Sequence, residues 1–249
     1  MYCRRVHADG PGRPSEALGR LRSRYPRVAI AHDWLTVPGG SEQVLLELLE
    51  MFPQAEVFTS VYDPAPWPAQ LTERPVHASF LNRIPGAHQR YQLLLPLMNR
   101  AFRSFDLSRF DLVLSSSHAC AKNVRAPRSA LHVCYCHTPM RYAWDESFLS
   151  GELPAPARAA LRPVLAWLRR QDRAGAAGVD AFVANSRHVA ERIARHWGRT
   201  ATVVHPPVDV DRLLSLPRGA GDKYLVFGRV VPYKRVDLAV SACAQLGRR

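Results

Sequence analysis

The sequence of 249 residues contains no run of 18 apolar residues, the length that a membrane-spanning helix needs. No apolar stretch follows the N-terminal arginines either, so the sequence predicts no signal peptide. Acidic residues are scarce: 21 Asp and Glu against 34 Lys and Arg give a formal net charge of +13. This surplus favours anionic partners such as nucleotide sugars, phospholipid head groups or nucleic acid. No helix-turn-helix, zinc-finger or RNA-binding signature is present, so nucleic acid is the weakest of these.

Cysteine is also sparse. The five cysteines are Cys3, Cys120, Cys134, Cys136 and Cys243. An odd, scattered set without an export signal indicates reduced thiols rather than a disulfide framework. We therefore expect a cytoplasmic protein.

The first 27 residues carry +5 of the net charge in a segment rich in Pro, Gly and Arg. Such a composition predicts that residues 1–26 form a disordered basic leader. The alternative is that this segment only reflects where the reading frame was started.

Short apolar runs alternate with helical patterns along the rest of the chain. Strands are predicted at 27–32, 56–61, 111–115, 131–136, 180–184 and 202–204, and helices at 41–52, 88–104, 157–174 and 186–197. Ser41 and Ser186 are the predicted N-caps, and Pro96 should kink or break its helix. This alternation predicts an α/β fold with a Rossmann-like parallel sheet flanked by helices. We place this domain at 27–205, and a Pro- and Gly-rich linker at 206–222.

The segment 225–235 is predicted to form a buried strand, a cationic turn and the start of a helix. Free N–H groups at such a helix start can hold phosphate. Arg229 offers a planar fork of donors and Lys234 a compact charge, which suits a diphosphate. The alternative is a solvated basic turn.

Two further candidates follow predicted strands. Gly39 and Gly40 could bring bare backbone N–H groups to an oxyanion, or could form a tight turn that needs positive φ. His137 ends a strand, where α/β proteins gather ligands, although a hydrogen bond to the next loop would also explain it. His118 follows the strand end at 115–117 and is expected at the same edge.

The cluster His132, Cys134, Cys136 and His137 invites a zinc interpretation. Residues i and i+2 of a strand lie roughly 6.6 Å apart at Cα. Two sulfurs bound to one zinc ion lie at most about 4.6 Å apart. We therefore interpret the cysteines as strand packing and expect no metal site.

Arginines stand beside leucines in the helical segments 90–105 and 158–173. Such surfaces can lie on anionic lipid. The alternative is an ordinary surface helix whose apolar stripe faces the core.

Several segments together resemble family 4 glycosyltransferases of the GT-B fold, from about residue 27 to the end. They are Gly39-Gly40-Ser41-Glu42, Cys136-His137-Thr138-Pro139-Met140-Arg141-Tyr142-Ala143-Trp144-Asp145, Asn185-Ser186-Arg187-His188-Val189, Val204-His205-Pro206-Pro207-Val208-Asp209, and Gly228-Arg229 with Tyr233-Lys234-Arg235. The HTPMRYAWD form most resembles mannosyltransferase-like members that act on bacterial surface polysaccharides or lipid-linked sugars.

The resemblance implies two Rossmann-like domains that face a cleft. Residues 27–205 would hold the acceptor, and residues 223–249 would begin the domain that holds the sugar nucleotide. It also implies transfer of a hexose, with mannose expected, with retention of configuration and with no bound metal or other cofactor. The acceptor would be a glycan or a polyprenyl-linked sugar, which implies contact with the inner face of the plasma membrane.

The resemblance also implies roles for individual residues. Arg229, Lys234, Gly39 and Gly40 would bind the donor diphosphate. His137, with Thr138, would lie against the transferred sugar as a positioning donor rather than a general base. The acceptor cleft would be lined by His118, Arg141, Tyr142 and Trp144.

The sequence departs from the family in lacking the nucleoside pocket and the paired-glutamate motif of the second domain. Two hypotheses follow: a hexosyltransferase, or a truncated acceptor-binding chain that cannot catalyse transfer alone. In the second case the chain could be half of a split enzyme. A basic nucleic-acid binder is the third hypothesis.

Overall fold

The computed structural model describes residues 14–145, 155–215, 223–226, 228 and 234–247. The chain divides into two units, residues 1–207 and residues 208–249. All strands within the described ranges belong to the first unit.

A parallel sheet of seven strands forms the centre of the first unit. The strands are β1 (Val28–His32), β2 (Glu56–Thr59), β3 (Val76–Ala78), β4 (Leu112–Ser117), β5 (Leu131–Cys136), β6 (Ala181–Ala184) and β7 (Thr202–Val203). Their order in the sheet is β3-β2-β1-β4-β5-β6-β7. The chain builds the sheet outward from β1 in one direction and then returns to add β4 on its other side. This doubly wound topology confirms the predicted α/β, Rossmann-like fold and puts the switch point between β1 and β4.

Helices cover both faces of the sheet. The described helices are α1 (Pro14–Arg24), α2 (Gly40–Met51), α3 (Ala69–Thr72), α4 (Ala87–Arg90), α5 (Leu95–Arg103), α6 (Arg141–Trp144), α7 (Ala155–Ala177), α8 (Arg187–Trp197), α9 (Val210–Ser215) and α10 (Val236–Gln245), with 3₁₀ turns at Phe80–Arg83, Tyr91–Leu94 and Ala121–Asn123. Within the described ranges, no helix combines the length and the apolar character of a membrane span.

Strand β1 shows why the sheet needs cover on both faces, since all five of its residues are buried. Ala29 and Ala31 join an apolar core that includes Met98 of α5. Val28 and Ile30 join a second core, on the other face, that includes leucines of α2. A strand that is buried on both sides is a continuous run of apolar residues, so β1 could be predicted from the sequence alone.

The single helix predicted at 88–104 is wrong in detail. The chain forms α4, a 3₁₀ turn at Tyr91–Leu94 and then α5, with Pro96 in the first turn of α5. Proline fits there because the first helical N–H groups have no intrahelical acceptor. The predicted effect of Pro96 is therefore confirmed.

The predicted disordered leader does not hold for residues 14–24, which form α1. Arg22 ties this helix to the end of α2: its guanidinium donates to the carbonyls of Met51 at 2.7 Å and Glu50 at 2.8 Å. The last carbonyls of a helix have no intrahelical donor and carry partial negative charge, so the Arg22 cation stabilises the end of α2. Residues 1–13 lie outside the described residues.

Two N-cap predictions have different outcomes. The hydroxyl of Ser186 accepts a hydrogen bond from the N–H of Val189 and caps α8, as predicted. Ser41 is not a cap, because α2 begins one residue earlier with Gly39 as its N-cap. The Ser41 hydroxyl instead donates to Glu42 Oε1 at 2.8 Å.

In the second unit α10 confirms the predicted helix, but residues 225 and 226, the described part of the predicted buried strand, are not in a strand. Tyr224, Leu225 and Val226 are 66%, 87% and 52% exposed. A strand needs a hydrogen-bonding neighbour and a covered face. The described residues of this unit offer only α9 and α10. Part of the predicted 206–222 linker is α9.

Gly175 of α7 marks a point of close packing. A Cβ atom there would lie 1.5 Å from Asn123 Oδ1, whereas one at Gly178 would make only an ordinary contact at 3.6 Å. We expect Gly175→Ala to lower the free energy of unfolding by about 1–3 kcal/mol, because the buried amide has to move. Gly178→Ala is the matched control and should change it little. Equal stability of the two variants in urea denaturation would contradict this packing.

Candidate functional site

Three neighbouring strands and one helix bring polar side chains to the carboxyl edge of the sheet. His32 ends β1, Ser116 lies near the end of β4, and His137 follows β5. Glu42 reaches the same place from the first turn of α2. His32 and Ser116 are fully buried, and Glu42 is 5% exposed. This edge is the switch point, where doubly wound sheets bind ligands.

These four side chains form one hydrogen-bonded row. Glu42 Oε1 lies 3.2 Å from His32 Nε2, and His32 Nδ1 lies 3.1 Å from Ser116 Oγ. The same hydroxyl lies 2.8 Å from His137 Nε2. We call this set the histidine row. It connects the loop before α2 with the end of β5.

The hydrogen bonds of Ser116 link the positions of the protons on His32 and His137. Ionised Glu42 only accepts, so His32 Nε2 carries a proton. When His32 is neutral, its Nδ1 accepts from Ser116, and Ser116 accepts from His137 Nε2–H. His137 Nδ1 is then an acceptor. With a second proton on His32, at Nδ1, the two hydrogen bonds of Ser116 are reversed while the bond to Glu42 is unchanged, and His137 Nδ1 is then a donor.

The burial of the row sets its charges. Burial would raise the pKa of Glu42, but the hydrogen bond and charge of His32, with the Ser41 hydroxyl, lower it to about 2. Burial lowers the pKa of His137 to about 3, helped by the neighbouring His118 and His32. Glu42 is thus an anion at neutral pH, and His137 is a neutral imidazole. A group of this kind can position or polarise a ligand but is a weak general base.

Asp33, directly after β1, organises the loop that carries His118. Its fully buried carboxylate accepts four backbone N–H groups. Oδ2 accepts from His118 at 2.6 Å and Ala119 at 2.9 Å, and Oδ1 accepts from Cys120 and Ala121, both at 2.6 Å. Burial opposes ionisation, but the charge of His118 and these N–H groups hold the pKa of Asp33 below its usual value. The loop is therefore built around an anion.

His118 lies beside the histidine row, as predicted. Its ring centroid is 6.2 Å from that of His137, and the Trp34 ring packs against it edge-on at 4.4 Å. His118 Nδ1 is 3.1 Å from Asp33 Oδ2, but the alignment does not make a hydrogen bond. Burial lowers the pKa of His118, while the charge of Asp33 opposes this.

Gly39 approaches the row through its backbone. Its φ of −162° is ordinary extended backbone, so the tight-turn alternative with positive φ is wrong. A Cβ atom there would lie 2.9 Å from Glu42 Oε2. Because Glu42 is held by His32, that carboxylate has little room to move. A Cβ at Gly40 would meet nothing within 4 Å, so its neighbourhood is open.

The remaining predicted residues of the first unit fall into two groups. Thr138 is half-buried next to His137 and donates to the Pro139 carbonyl at 3.1 Å. Arg141 lies close enough that its charge contributes to the lowered pKa of His118.

The aromatic side chains of α6 pack elsewhere. Tyr142 packs against the core that includes α5. The indole of Trp144 donates to Asp172 of α7 at 2.7 Å and stacks on His196 of α8, with ring centroids 4.3 Å apart. The hydrogen bond of Trp144 thus secures α6 to the helix layer and is not directed at the histidine row.

The cationic turn is described only in part. Arg229 lies outside the described residues. Gly228 has φ of 149°, and a Cβ atom there would lie 2.8 Å from Lys234 Nζ, so the amine approaches the backbone of Gly228. Lys234 belongs to the second unit, whereas Gly39 and Gly40 belong to the first.

The cysteines of β5 are packing residues. Cys134 and Cys136 are fully buried in one apolar cluster. Burial raises the pKa of the Cys134 thiol to about 12. Over the described part of the chain, no three His, Cys, Asp or Glu side chains are grouped to hold a metal ion. His132 turns to Ser115 and the Gly178 carbonyl instead.

Sequence reasoning missed four residues of this site: His32, Asp33, Glu42 and Ser116. A signal was present, because each ends a predicted strand or opens a predicted helix next to a candidate that was named. Their polar side chains at the ends of apolar runs were available, but the pairing of β1 with β4 was not.

Glu42 predicts a specific response to acid. Its folded pKa of about 2 lies below the ordinary 4.5, so it stabilises the fold above pH 4.5. That stability is lost as the pH falls towards 2, by on the order of 3 kcal/mol. We expect the free energy of unfolding of Glu42→Gln to change less with pH over this acid range than that of the wild type. Urea denaturation at several pH values measures this. Glu47→Gln, on the exposed side of α2, is the control and should keep the wild-type slope; the same slope in both variants would contradict the prediction.

The chain is similar to one known protein family and to several solved structures. The model described as Glycosyltransferase Family 4 matches residues 38–212, more than half of the chain. No curated protein sequence matches the chain significantly. The solved structures that it resembles include HepE from Anabaena in complex with UDP and glucose, at 17% identity and a TM-score of 0.50, covering 87% of this chain and 57% of that one.

Two further structures have lower scores. HepE from Anabaena with UDP-glucose has 16% identity, a TM-score of 0.39 and coverage of 88% of this chain and 50% of that one. The apo form of WaaB, a lipopolysaccharide outer core galactosyltransferase, has 17% identity, a TM-score of 0.40 and coverage of 73% and 46%. The chain spans about half the length of these structures. The HepE complex with UDP and glucose shares the α/β fold of this chain, and the family match spans both the loop before α2 and the end of β5: the chain belongs to glycosyltransferase family 4.

Proposed function

We propose that the protein transfers a hexose from a nucleoside diphosphate sugar to an acceptor hydroxyl. The observation that carries the proposal is the histidine row at the switch point of a family 4 chain. The row places the neutral imidazole of His137 at the edge where doubly wound sheets bind ligands. Mannose is the sugar that we propose, on the HTPMRYAWD segment.

In the proposed reaction the bond from the anomeric carbon to the leaving phosphate oxygen breaks. A bond from the acceptor oxygen to the same carbon forms on the same face, so configuration is retained. The acceptor proton passes to the leaving phosphate oxygen. His137 then needs no basicity, in keeping with its pKa of about 3. Its task is to position the sugar through Nδ1, the ring nitrogen that takes no part in the histidine row.

The donor phosphates would meet backbone N–H groups and cations. Gly39 and Gly40 open α2, and the free N–H groups of a helix start suit an anion. We assign Lys234 and Arg229 to the diphosphate, where they would offset the charge that develops on the leaving group. No metal is required in this scheme, and activity should survive EDTA.

The acceptor would lie beside His118, Thr138 and Arg141. We propose a glycan or a polyprenyl-linked sugar as the acceptor in surface polysaccharide synthesis, reached from the cytoplasmic face of the membrane. We propose that Tyr142 and Trp144 contribute to the acceptor site indirectly, by supporting the α6 segment.

Release of nucleoside diphosphate tests the proposal. GDP-mannose, UDP-glucose and UDP-galactose are incubated with the chain, and the diphosphate is quantified by coupled assay. We expect His137→Ala to lower the rate with the preferred donor about 100-fold or more, the scale seen when a hydrogen-bond donor to a transition state is removed. His188→Ala removes an exposed histidine at the start of α8 and is the control. Equal rates for the two variants would overturn the role of His137.

The exposed apolar side chains of the second unit favour one alternative. Tyr224, Leu225 and Leu238 are each more than half exposed. They fit an acceptor-binding chain that needs further polypeptide to complete the donor site. In that case the isolated chain would release no nucleoside diphosphate, and a complementing chain would restore release.

A further inference from the structure

A cleft between α5 and α7 has an unusual lining. It encloses about 390 Å³ and is lined mainly by Asn99, Arg100 and Arg103 of α5, Arg125 after the 3₁₀ turn, and Trp167 and Gln171 of α7. Three arginines and no acidic residue face this space. None of the residues of the histidine row lines it.

The arginines of the cleft are not engaged elsewhere. Within the described ranges, no hydrogen bond or ion pair holds the guanidinium groups of Arg100, Arg103 or Arg125. Three like charges around one cleft repel one another unless an anion lies between them. Many arginines of the protein do have partners, as Arg27 has in Asp111 at 2.6 Å. The contrast makes the cleft a candidate anion site.

Asn99 supplies an independent observation. It is 3% exposed, and its Nδ2 is buried without a hydrogen-bond partner. Its Oδ1 is already used, as the acceptor of Asn123 Nδ2. A buried amide donor without an acceptor costs stability, so native proteins rarely leave one unless a ligand or water completes it. Asn99 therefore offers one unpaired donor among the described residues that line the cleft.

We propose that this cleft binds a phosphate group, as a second anion site separate from that of the donor. A phosphate offers more acceptor oxygens than a carboxylate, which matches three guanidinium forks and an amide. The volume exceeds that of one phosphate, which leaves room for the group that carries it. On α7, Val164 lies one turn before Trp167, and the two are 40% and 41% exposed. Trp167 lines the cleft. With Val164 beside it on α7, it forms an apolar surface that suits a phosphate borne on a lipid or another apolar group.

The test measures phosphate binding directly and needs no sugar nucleotide. Pyrophosphate is titrated calorimetrically into the chain, and vesicles of phosphatidylcholine are sedimented with and without phosphatidylglycerol. Arg100→Gln/Arg103→Gln is compared with Arg128→Gln/Arg170→Gln, which removes the same charge at exposed positions outside the cleft. Melting temperatures check that all variants fold. Lys234→Ala reports on the donor site.

We expect the cleft variant to lose binding at least about tenfold, since each charge-assisted bond removed weakens binding by about that factor. The control variant should keep it, and Lys234→Ala should lose only the pyrophosphate that binds at the proposed donor site. If the cleft variant loses binding of pyrophosphate, the ligand is a soluble phosphate. If it loses binding only of the vesicles that contain phosphatidylglycerol, the ligand is a lipid phosphate. Equal loss in the cleft and control variants, loss in Lys234→Ala alone, or no binding to either probe would overturn the proposal. Because no donor is used, these outcomes are independent of the proposed sugar transfer.

Discussion

Asp33→Asn is expected to lower the free energy of unfolding by about 4 kcal/mol. The carboxylate of Asp33 is fully buried and is the acceptor for four backbone N–H groups. An amide keeps one oxygen and turns an NH₂ group towards two of those donors. Each buried N–H without an acceptor costs about 1–3 kcal/mol, and the opposed NH₂ adds to that. Urea denaturation measures the loss.

The matched control for this prediction is Asp63→Asn. Asp63 accepts one backbone N–H, from Ala65 at 3.1 Å, at an exposed turn. The same chemical change there should have a small effect, because water replaces the lost bond. A loss for Asp33→Asn no larger than for Asp63→Asn would contradict the anion-centred loop.

The difference in unfolding free energy between wild type and Asp33→Asn should depend on pH in one direction. The pKa of Asp33 is lowered in the folded protein, so its stabilising effect is present above its ordinary pKa of about 3.9 and is lost below it. The gap between wild type and Asp33→Asn should therefore be constant from pH 5 to 7 and should narrow as the acid titration passes pH 4.

Asp172→Leu is expected to cost about 3–5 kcal/mol of unfolding free energy. Asp172 of α7 is fully buried and forms an ion pair with Lys122, which is 1% exposed. Its Oδ2 also accepts the indole N–H groups of Trp144 and Trp197, both at 2.7 Å. Removing the carboxylate leaves a buried ammonium and two partly buried indole N–H groups unpaired. The pair itself raises the pKa of Lys122 to about 12, in spite of its burial.

A double variant separates charge from packing in this cluster. Lys122→Met/Asp172→Asn removes both charges and keeps an oxygen for the indoles. We expect it to recover at least half of the loss, since buried ion pairs are often replaced by apolar side chains at little cost. Arg27→Gln, which breaks an exposed ion pair with Asp111, is the control and should change stability little. A double variant as unstable as Asp172→Leu would show that the charges are not the cause.

The elements that the sequence predicted correctly are those with strong local signals. Strands β1, β4, β5 and β6 are apolar runs, and the Ser186 cap and the Pro96 break follow from single residues. Strand β3 was missed because it has three residues, none fully buried. Leu225 and Val226, the described part of the strand predicted there, are exposed because burial depends on partners that local sequence does not specify.

The candidate site divides in the same way. His137, His118, Gly39 and Gly40 were recognised by their positions at the ends of elements. The contact between His32 and Ser116 was not predictable, because it depends on the register of β1 against β4. Asp33 was missed for a related reason: the N–H groups that donate to it lie more than 80 residues away, and only the folded loop brings them together.

The central proposal is that the carboxyl edge of this sheet binds a nucleoside diphosphate sugar. Isothermal titration of the chain with GDP, UDP and ADP, and with their sugar forms, tests it most directly. The account predicts saturable binding of one nucleotide, lost in Lys234→Ala, with a gain in affinity from the sugar that disappears in His137→Ala. No binding of any of them at millimolar concentration, or a sugar-dependent gain that His137→Ala leaves intact, would contradict it.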